Sequence, residues 1–293
     1  MEALLAGWLV ALPLRTAPAQ MNVNPYFIPI NYPVGRHTLM VMARPDFQSA
    51  RYGSDFFTAM LMAEYGLTSR WTIGVMAEGQ KIHGLPVTYG GVRVSTYVHL
   101  FRDARWLNLT LYGEYEDLNE ASLYKMEVAG FGPEDLTEPL ALARHTPVRT
   151  FEQRVLVYHD RGRWNGTLNI IRETALQSPH GSDYGYAIGV FRKPIVPAPS
   201  MATMDAMPDT TPPPALSLRR VGYGVELAGT LGDDQRFGFV SSAQQQYVGA
   251  VFTYDVSGRA SLHLEPAIGL SHVSDPFMLR VAVSYMFGDP TVR

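Results

Sequence analysis

Three methionines are the residues of this chain best suited to binding a metal. Met201, Met204 and Met207 are spaced three residues apart within residues 193–216, a segment that contains seven prolines. Thioether sulfur is a soft ligand that suits Cu(I) or Ag(I), and the prolines favour an extended loop outside any sheet. The spacing predicts a Cu(I) site of modest affinity, because no cysteine or close histidine would strengthen it. Methionine also fills gaps in packing, which is the alternative role.

Residues with the spacing of a catalytic site are sparse. His272 and Ser274 stand two residues apart, as in lipid A deacylases, but so short a motif arises often by chance. Glu114 and Glu116 share one face of a candidate strand, yet acid–base catalysis also needs a cleft and a shifted pKa. The sequence contains no cysteine, no His-Glu-x-x-His, no nucleophile elbow and no phosphate-binding loop. We therefore expect no enzyme activity.

The composition favours many strands and turns. The chain contains 16 Tyr, 13 Phe and 26 Gly, and only 17% of its residues are charged. With 24 Lys and Arg against 27 Asp and Glu, the formal charge is −3. This balance gives no reason to expect binding to nucleic acid or a polybasic contact with a membrane.

The strand that carries the clearest pattern is the last one, Phe277 to Phe287. Six apolar or aromatic residues alternate with five others and therefore share one face of an extended strand. An aromatic residue stands at each end of this apolar row, as a lipid-facing strand requires at the two headgroup levels. The pattern resembles the closing strand of bacterial outer-membrane β-barrels, although residues 288–293 follow it as a short tail.

Similar alternation runs through most of the chain from residue 37 to residue 287. About thirteen candidate strands can be counted, and single-chain bacterial barrels have even strand numbers. Twelve strands result if Leu123 to Ala129 is not a strand, and fourteen if one strand lies near Phe237 to Val240. We predict an all-β, transmembrane up-and-down antiparallel β-barrel of twelve strands, with fourteen as the alternative. A soluble β-sandwich or lipocalin-like barrel, with the apolar face inside, is the competing fold.

If the apolar rows face lipid, the polar rows face the barrel lumen. The lumen would then contain charges of both signs without a single-sign preference, which could brace a narrow barrel or line a pore. The predicted lumen residues are Glu64, Glu78, Arg93, His99, Glu114, Lys125, Glu127, Glu152, Arg154, Arg220, Glu226, His263, Glu265 and Arg280. Seven methionines would line one wall beside the seam between the first and last strands, namely Met40, Met42, Met60, Met62, Met76, Met278 and Met286.

The start of the chain predicts export. Ala3 to Leu14 is a short apolar run, and Ala17-Pro18-Ala19 follows as a small-x-small cleavage site. Arg15 ends the run well before the roughly 20 residues that a membrane-spanning helix needs. We expect a signal peptide over residues 1–19 and a periplasmic lead over residues 20–36.

Two stretches carry a resemblance to a wider group. Glu64 to Gly74, with the sequence Glu-Tyr-Gly-Leu-Thr-Ser-Arg-Trp-Thr-Ile-Gly, and Leu279 to Phe287 are similar to strands of the transporter-like outer-membrane barrels, among them the phenol-degradation meta-pathway proteins. This resemblance implies an outer-membrane location, lipid as a partner, and a passive channel or membrane component for small solutes. The alternative is a barrel with a plugged lumen that binds a periplasmic or surface protein and takes part in copper handling.

Overall fold

Twelve β-strands make up the fold in the computed structural model, which describes residues 34–51, 53–101, 107–120, 145–177, 181–195, 217–240 and 242–288. A single 3₁₀ turn, Leu218–Arg220, precedes the ninth strand. The strands are β1 Leu39–Ser49, β2 Phe56–Gly66, β3 Trp71–Ile82, β4 Thr88–Phe101, β5 Asn108–Asn119, β6 Pro147–Arg161, β7 Trp164–Ala175, β8 Ser182–Arg192, β9 Val221–Asp233, β10 Gln246–Asp255, β11 Ala260–Gly269 and β12 Phe277–Phe287.

The sheet closes on itself. Each strand pairs antiparallel with its neighbours in the chain, and β1 also pairs with β12, from Leu39 opposite Phe287 to Ser49 opposite Phe277. The preferred count of twelve strands is therefore confirmed. Phe237–Val240 forms no strand, while Leu123–Ala129 lies outside the described residues.

The apolar faces of the strands point outward. A soluble barrel would turn these faces inward, whereas a transmembrane barrel exposes them to lipid. In β3 the outward residues Ile73 and Val75 are exposed and the inward residues Thr72 and Glu78 are buried. Leu61, at the centre of β2, leaves 64% of its surface exposed. Since such a continuous apolar surface is stable only in lipid, the barrel is a transmembrane one. Among the described residues, no helix is long and apolar enough to cross a membrane.

Aromatic side chains form a girdle at the end of the barrel where β1 begins and β12 ends. Tyr65, Trp71, Phe101, Trp164 and Phe287 all lie at this end and are exposed. The Trp71 Nε1–H donates to Thr96 Oγ1 at 2.8 Å. An indole with an apolar ring and a satisfied N–H suits the boundary between lipid and water.

Several strand ends differ from the sequence interpretation. The alternation in the sequence predicts a first strand over His37–Arg44, whereas β1 continues through Pro45 to Ser49. It predicts a strand over Phe151–His159, whereas β6 begins at Pro147 and ends at Arg161. Residues 1–33, most of 193–216 and 289–293 lie outside the described residues, so the signal peptide, most of the lead, the loop and the tail remain predictions.

The even strand number places the start of β1 and the end of β12 at the same end of the barrel. The short connections 67–70, 162–163 and 256–259 lie at this end, as does the long connection between β8 and β9. In outer-membrane barrels the short turns face the periplasm. The terminal end is therefore the periplasmic end, and the Met-containing connection begins and ends there.

Candidate functional site

The inward strand faces place many buried charged residues in the barrel lumen. All eight principal lumen residues of the sequence analysis lie on inward strand faces and are buried: Glu64, Glu78, Arg93, His99, Glu114, Arg154, Glu226 and Arg280. Glu152, His263 and Glu265 lie with them. Arg220 does not, because it sits in the 3₁₀ turn and its Nη1 donates to the Val256 carbonyl at 2.6 Å. Lys125 and Glu127 lie outside the described residues.

The largest ion cluster is centred on Arg93 of β4. Its Nη1 donates to Glu116 at 2.6 Å and to Glu114 at 3.4 Å, and its Nη2 lies 3.5 Å from Glu78. All four side chains are buried. Because three carboxylates surround one guanidinium, the cluster carries an excess of negative charge when its groups are ionised.

A second cluster crosses the seam between β1 and β12. Arg280 donates to Asp46 through Nε at 3.0 Å and through Nη2 at 2.9 Å, and Arg44 Nε lies 3.1 Å from the same carboxylate. Asp46 is absent from the predicted lumen residues because the predicted first strand ended at Arg44. Extending the period of two beyond Arg44 would have placed Asp46 on the inward face.

A third cluster lies on β5 and β6. Arg154 donates to both carboxylate oxygens of Glu152, through Nη2 at 2.8 Å and through Nε, and its guanidinium lies 5.2 Å from the Tyr112 ring centre. Tyr112 Oη donates to Glu114 at 2.5 Å. This tyrosine connects the Arg154 pair to the Arg93 cluster, so that polar contacts extend across four neighbouring strands, β3 to β6.

The interior has a strong excess of acid, contrary to the expected balance of signs. Three buried arginines face the lumen from the described strands, and Arg44, which is half-buried, is a fourth. Ten buried carboxylates come from the same strands: Asp46, Glu64, Glu78, Glu114, Glu116, Glu152, Glu173, Glu226, Asp255 and Glu265. A lining of this kind attracts cations and repels anions.

The wall formed by β8 to β11 differs from the rest of the lumen because seven of its inward residues are glycine or alanine. We call it the small-residue wall, and its buried members are Gly185, Ala187, Gly189, Gly222, Ala228, Gly249 and Ala267. A cavity of about 10 Å³ lies against this wall, between Glu226 of β9 and Glu265 of β11. A cavity of that size is about the smallest that can hold one water molecule.

The lumen methionines pack as apolar side chains. Met40, Met42 and Met286 form a buried cluster with Val34 and Ala282, and Met62 packs against it. This contact closes the periplasmic end of the β1–β12 seam with apolar surface, which is the gap-filling role of methionine. Met201, Met204 and Met207 lie outside the described residues.

The pair His272 and Ser274 has no catalytic arrangement. The Ser274 hydroxyl donates to the Gln246 carbonyl at 2.9 Å, accepts from the Gln246 N–H at 2.8 Å and lies 2.7 Å from Ser271 Oγ. A hydroxyl held in this way braces the turn between β11 and β12. His272 is exposed in the same turn.

Comparisons with known proteins bear on the fold. No protein family and no curated protein matches the chain. Among solved structures, a KdgM porin in complex with disordered oligogalacturonate is similar with a TM-score of 0.51 and 9% identity, over 85% of this chain and 99% of that one. An outer-membrane channel from Pseudomonas putida F1 is similar with a TM-score of 0.51 and 11% identity, over 88% and 97%.

These likenesses agree with the closed twelve-stranded sheet of the present chain. At such low identity they establish the architecture and leave the solute open. The chain is a twelve-stranded β-barrel of the bacterial outer-membrane type.

Proposed function

We propose that the chain is a narrow passive channel of the outer membrane that prefers cations. The single observation that carries this proposal is the acid excess of the lumen, with ten buried carboxylates against three buried arginines on the described strands. Rings of Asp and Glu are the usual lining of cation-selective pores. Because inward side chains fill much of the interior, we expect the channel to pass small solutes. The proposed role is passive passage without catalysis.

Buried polar groups that lack a hydrogen-bond partner within the protein support a water-filled pathway through the interior. Both amide atoms of Gln80 and of Asn169, and the Ser95 hydroxyl, are buried and form no hydrogen bond within the described part of the protein. Buried polar groups normally have a partner. Water or a passing solute would provide one here.

The ligand of the KdgM porin does not suit this barrel. Oligogalacturonate is a chain of acidic sugars, and an acidic lumen would repel it. The similarity to the transporter-like barrels that include the phenol-degradation proteins stays a prediction, because nothing in the interior identifies an aromatic solute.

The first test is the charge preference of the purified barrel in a planar lipid bilayer. With a KCl gradient across the bilayer, we expect the reversal potential to shift toward the equilibrium potential of K⁺, because the lumen carboxylates concentrate cations. The same recording in a gradient of potassium glutamate controls for anion size. A reversal potential set by the anion would contradict the proposal, and an absence of conductance would favour a plugged barrel that acts through a protein partner.

Soft-metal binding by the loop remains a separate prediction. Titrating Cu(I) or Ag(I) into the protein should show binding that is lost when Met201, Met204 and Met207 are all replaced by alanine, because thioethers bind soft ions. A variant in which Met40, Met60 and Met278 are replaced instead is the control. Equal binding by the wild type and the loop variant would exclude the loop site.

A further inference from the structure

The connection between β9 and β10 folds over the outside of the barrel at the extracellular end, which is the end opposite the periplasmic one. We call residues 234–240 of this connection the flap. The ring of Phe239 in the flap lies 6.5 Å from the ring of Tyr186 on β8. Tyr186 lies opposite the exposed Ile170 of β7, and directly opposed residues of an antiparallel pair share one face of the sheet. The flap therefore covers the outward face of the wall and not the lumen.

Contacts with β8 hold the start of the flap in this position. Asp234 accepts hydrogen bonds from the Ser182 N–H at 2.8 Å and from the Tyr184 hydroxyl at 2.7 Å. The Tyr184 ring also packs edge-on against the ring of Phe237, with 5.2 Å between the ring centres. A tyrosine with an apolar ring contact and a hydrogen-bonded hydroxyl suits the boundary between lipid and water.

The end of the flap is fixed by its own connection. The Gln244 side chain accepts from the Val240 N–H and donates to the Gly238 carbonyl, each at 2.7 Å. The Gly238 N–H in turn donates to the Leu231 carbonyl of β9 at 2.9 Å. The flap is thus attached at both ends to the outer wall.

Polar side chains of the outward face lie beside the flap. Tyr186 Oη donates to Gln246 Oε1 at 2.6 Å, and Gly229 of β9 lies between their two strands. A Cβ atom at Gly229 would collide with Gln246 Oε1, so the glycine leaves the room for this hydrogen bond. Although both side chains face outward, Tyr186 exposes only 9% of its surface and Gln246 only 3%. The polar pair is therefore kept away from lipid.

The outer surface of the flap itself is apolar. Phe237, Phe239 and Val240 expose 67%, 64% and 52% of their surfaces. The residues just before them, 234–236, are Asp, Gln and Arg and are also exposed. Large apolar side chains that are exposed together mark a contact with a membrane or a partner. The change from polar to apolar residues along the flap is the change expected between the headgroup level and the acyl chains.

The aromatic girdle of the strands at the extracellular end is interrupted next to the flap. Outward aromatic residues lie at this end on seven strands, namely Phe47, Phe57, Tyr89, Tyr115, Phe151, Tyr184 and Phe277. The strands β9 to β11, which are described throughout, carry none there, and their outward residues at this level include Gly229, Gln246 and Ile268. The rings of Phe237 and Phe239 lie beside this widest gap. The lipid-facing surface of the barrel therefore continues onto the flap.

We propose that the flap binds the acyl chains of the outer leaflet of the membrane through Phe237, Phe239 and Val240. A second copy of the barrel fits less well as the occupant. Two aromatic rings of at most about 250 Å² each and one valine offer well below the roughly 800 Å² per partner that a stable protein interface needs. Lipid contact has no such minimum, and it continues the apolar surface that the strands already present.

Spin labelling in vesicles of phosphatidylcholine and phosphatidylethanolamine tests this contact. The chain contains no cysteine, so each cysteine substitution gives a single site for a nitroxide label. The measured quantity is the accessibility of the label to O₂, which concentrates in lipid, divided by its accessibility to a nickel chelate, which stays in water. We expect the ratio for Phe239→Cys to approach that for Leu61→Cys on the lipid-facing surface. Gln235→Cys in the same flap is the matched control and should show a low ratio.

A second set of variants tests whether the phenyl rings cause the contact. Val240→Cys is labelled alone and in combination with Phe237→Ser and Phe239→Ser. Loss of both rings should lower the accessibility ratio at position 240 toward the ratio at position 235, because the flap loses most of its apolar surface. Phe151→Ser removes an outward ring on β6, away from the flap, and should leave the ratio at position 240 unchanged. Heat-modifiable gel mobility checks that each variant is folded.

Two results would overturn the proposal. A ratio for Phe239→Cys as low as that for Gln235→Cys would show that the flap lies in water. Dipolar broadening between labels on separate molecules would show that a second barrel, and not lipid, covers the flap. Neither measurement requires conduction, so the proposed channel stands or falls separately in the bilayer recordings.

Discussion

Replacement of Leu61 by arginine is expected to cost about 2–4 kcal/mol of folding free energy in a bilayer, the penalty for a cation at the midplane of a transmembrane barrel. Leu61 is the central residue of β2, faces outward and lies opposite Ala43 of β1 and Ala77 of β3. Its side chain therefore contacts the middle of the hydrocarbon layer, where a guanidinium finds neither water nor headgroups. The measurement is the urea midpoint of unfolding in lipid vesicles, followed by heat-modifiable gel mobility.

A matched control uses an equally apolar residue outside the strands. Leu218, in the 3₁₀ turn at the periplasmic end, is 89% exposed. Leu218→Arg should change stability by less than about 0.5 kcal/mol, as is usual for surface substitutions. If both arginine variants were equally stable, the outer surface of the barrel would be in water and the membrane assignment would be wrong.

Removal of the Arg93 side chain is expected to be the most damaging single change inside the lumen. Arg93→Ala would leave Glu78, Glu114 and Glu116 buried together without their guanidinium. Breaking a buried ion pair in this way costs about 3–5 kcal/mol, because the remaining charges are left uncompensated in a low dielectric. The expected result is a lower urea midpoint and a smaller folded fraction in vesicles.

Two further variants test whether the loss of stability expected for Arg93→Ala is caused by uncompensated charge. Arg149→Ala removes an exposed guanidinium whose Nε lies 3.2 Å from Asp117, and such surface pairs contribute about 0–1 kcal/mol. Adding Glu116→Gln to Arg93→Ala should restore part of the lost stability, because one repelling carboxylate is removed. A cost for Arg93→Ala no greater than that for Arg149→Ala, or no gain from Glu116→Gln, would show that the cluster is not held by charge.

The strand pattern of this protein could be predicted from local sequence. Alternation with a period of two depends only on neighbouring residues, so it located β12 from Phe277 to Phe287 to the residue and separated the lipid face from the lumen face. Together with parity it reduced the strand count to twelve or fourteen, and the preferred count of twelve is the observed one. The predicted first strand ended at Arg44 and therefore missed Asp46, since β1 continues through Pro45 to Ser49.

The partners within the lumen could not be predicted in this way. Arg280 binds Asp46, which lies 234 residues away in the chain, because closure of the barrel pairs β12 with β1 at a specific register. The sequence by itself determined most of the inward residues, with Arg220 and Asp46 as the exceptions, since strand geometry is local. Only the tertiary structure decided which inward charges touch, how large the acid excess of the lumen is and which end faces the periplasm, since these depend on the register and closure of strands far apart in the chain.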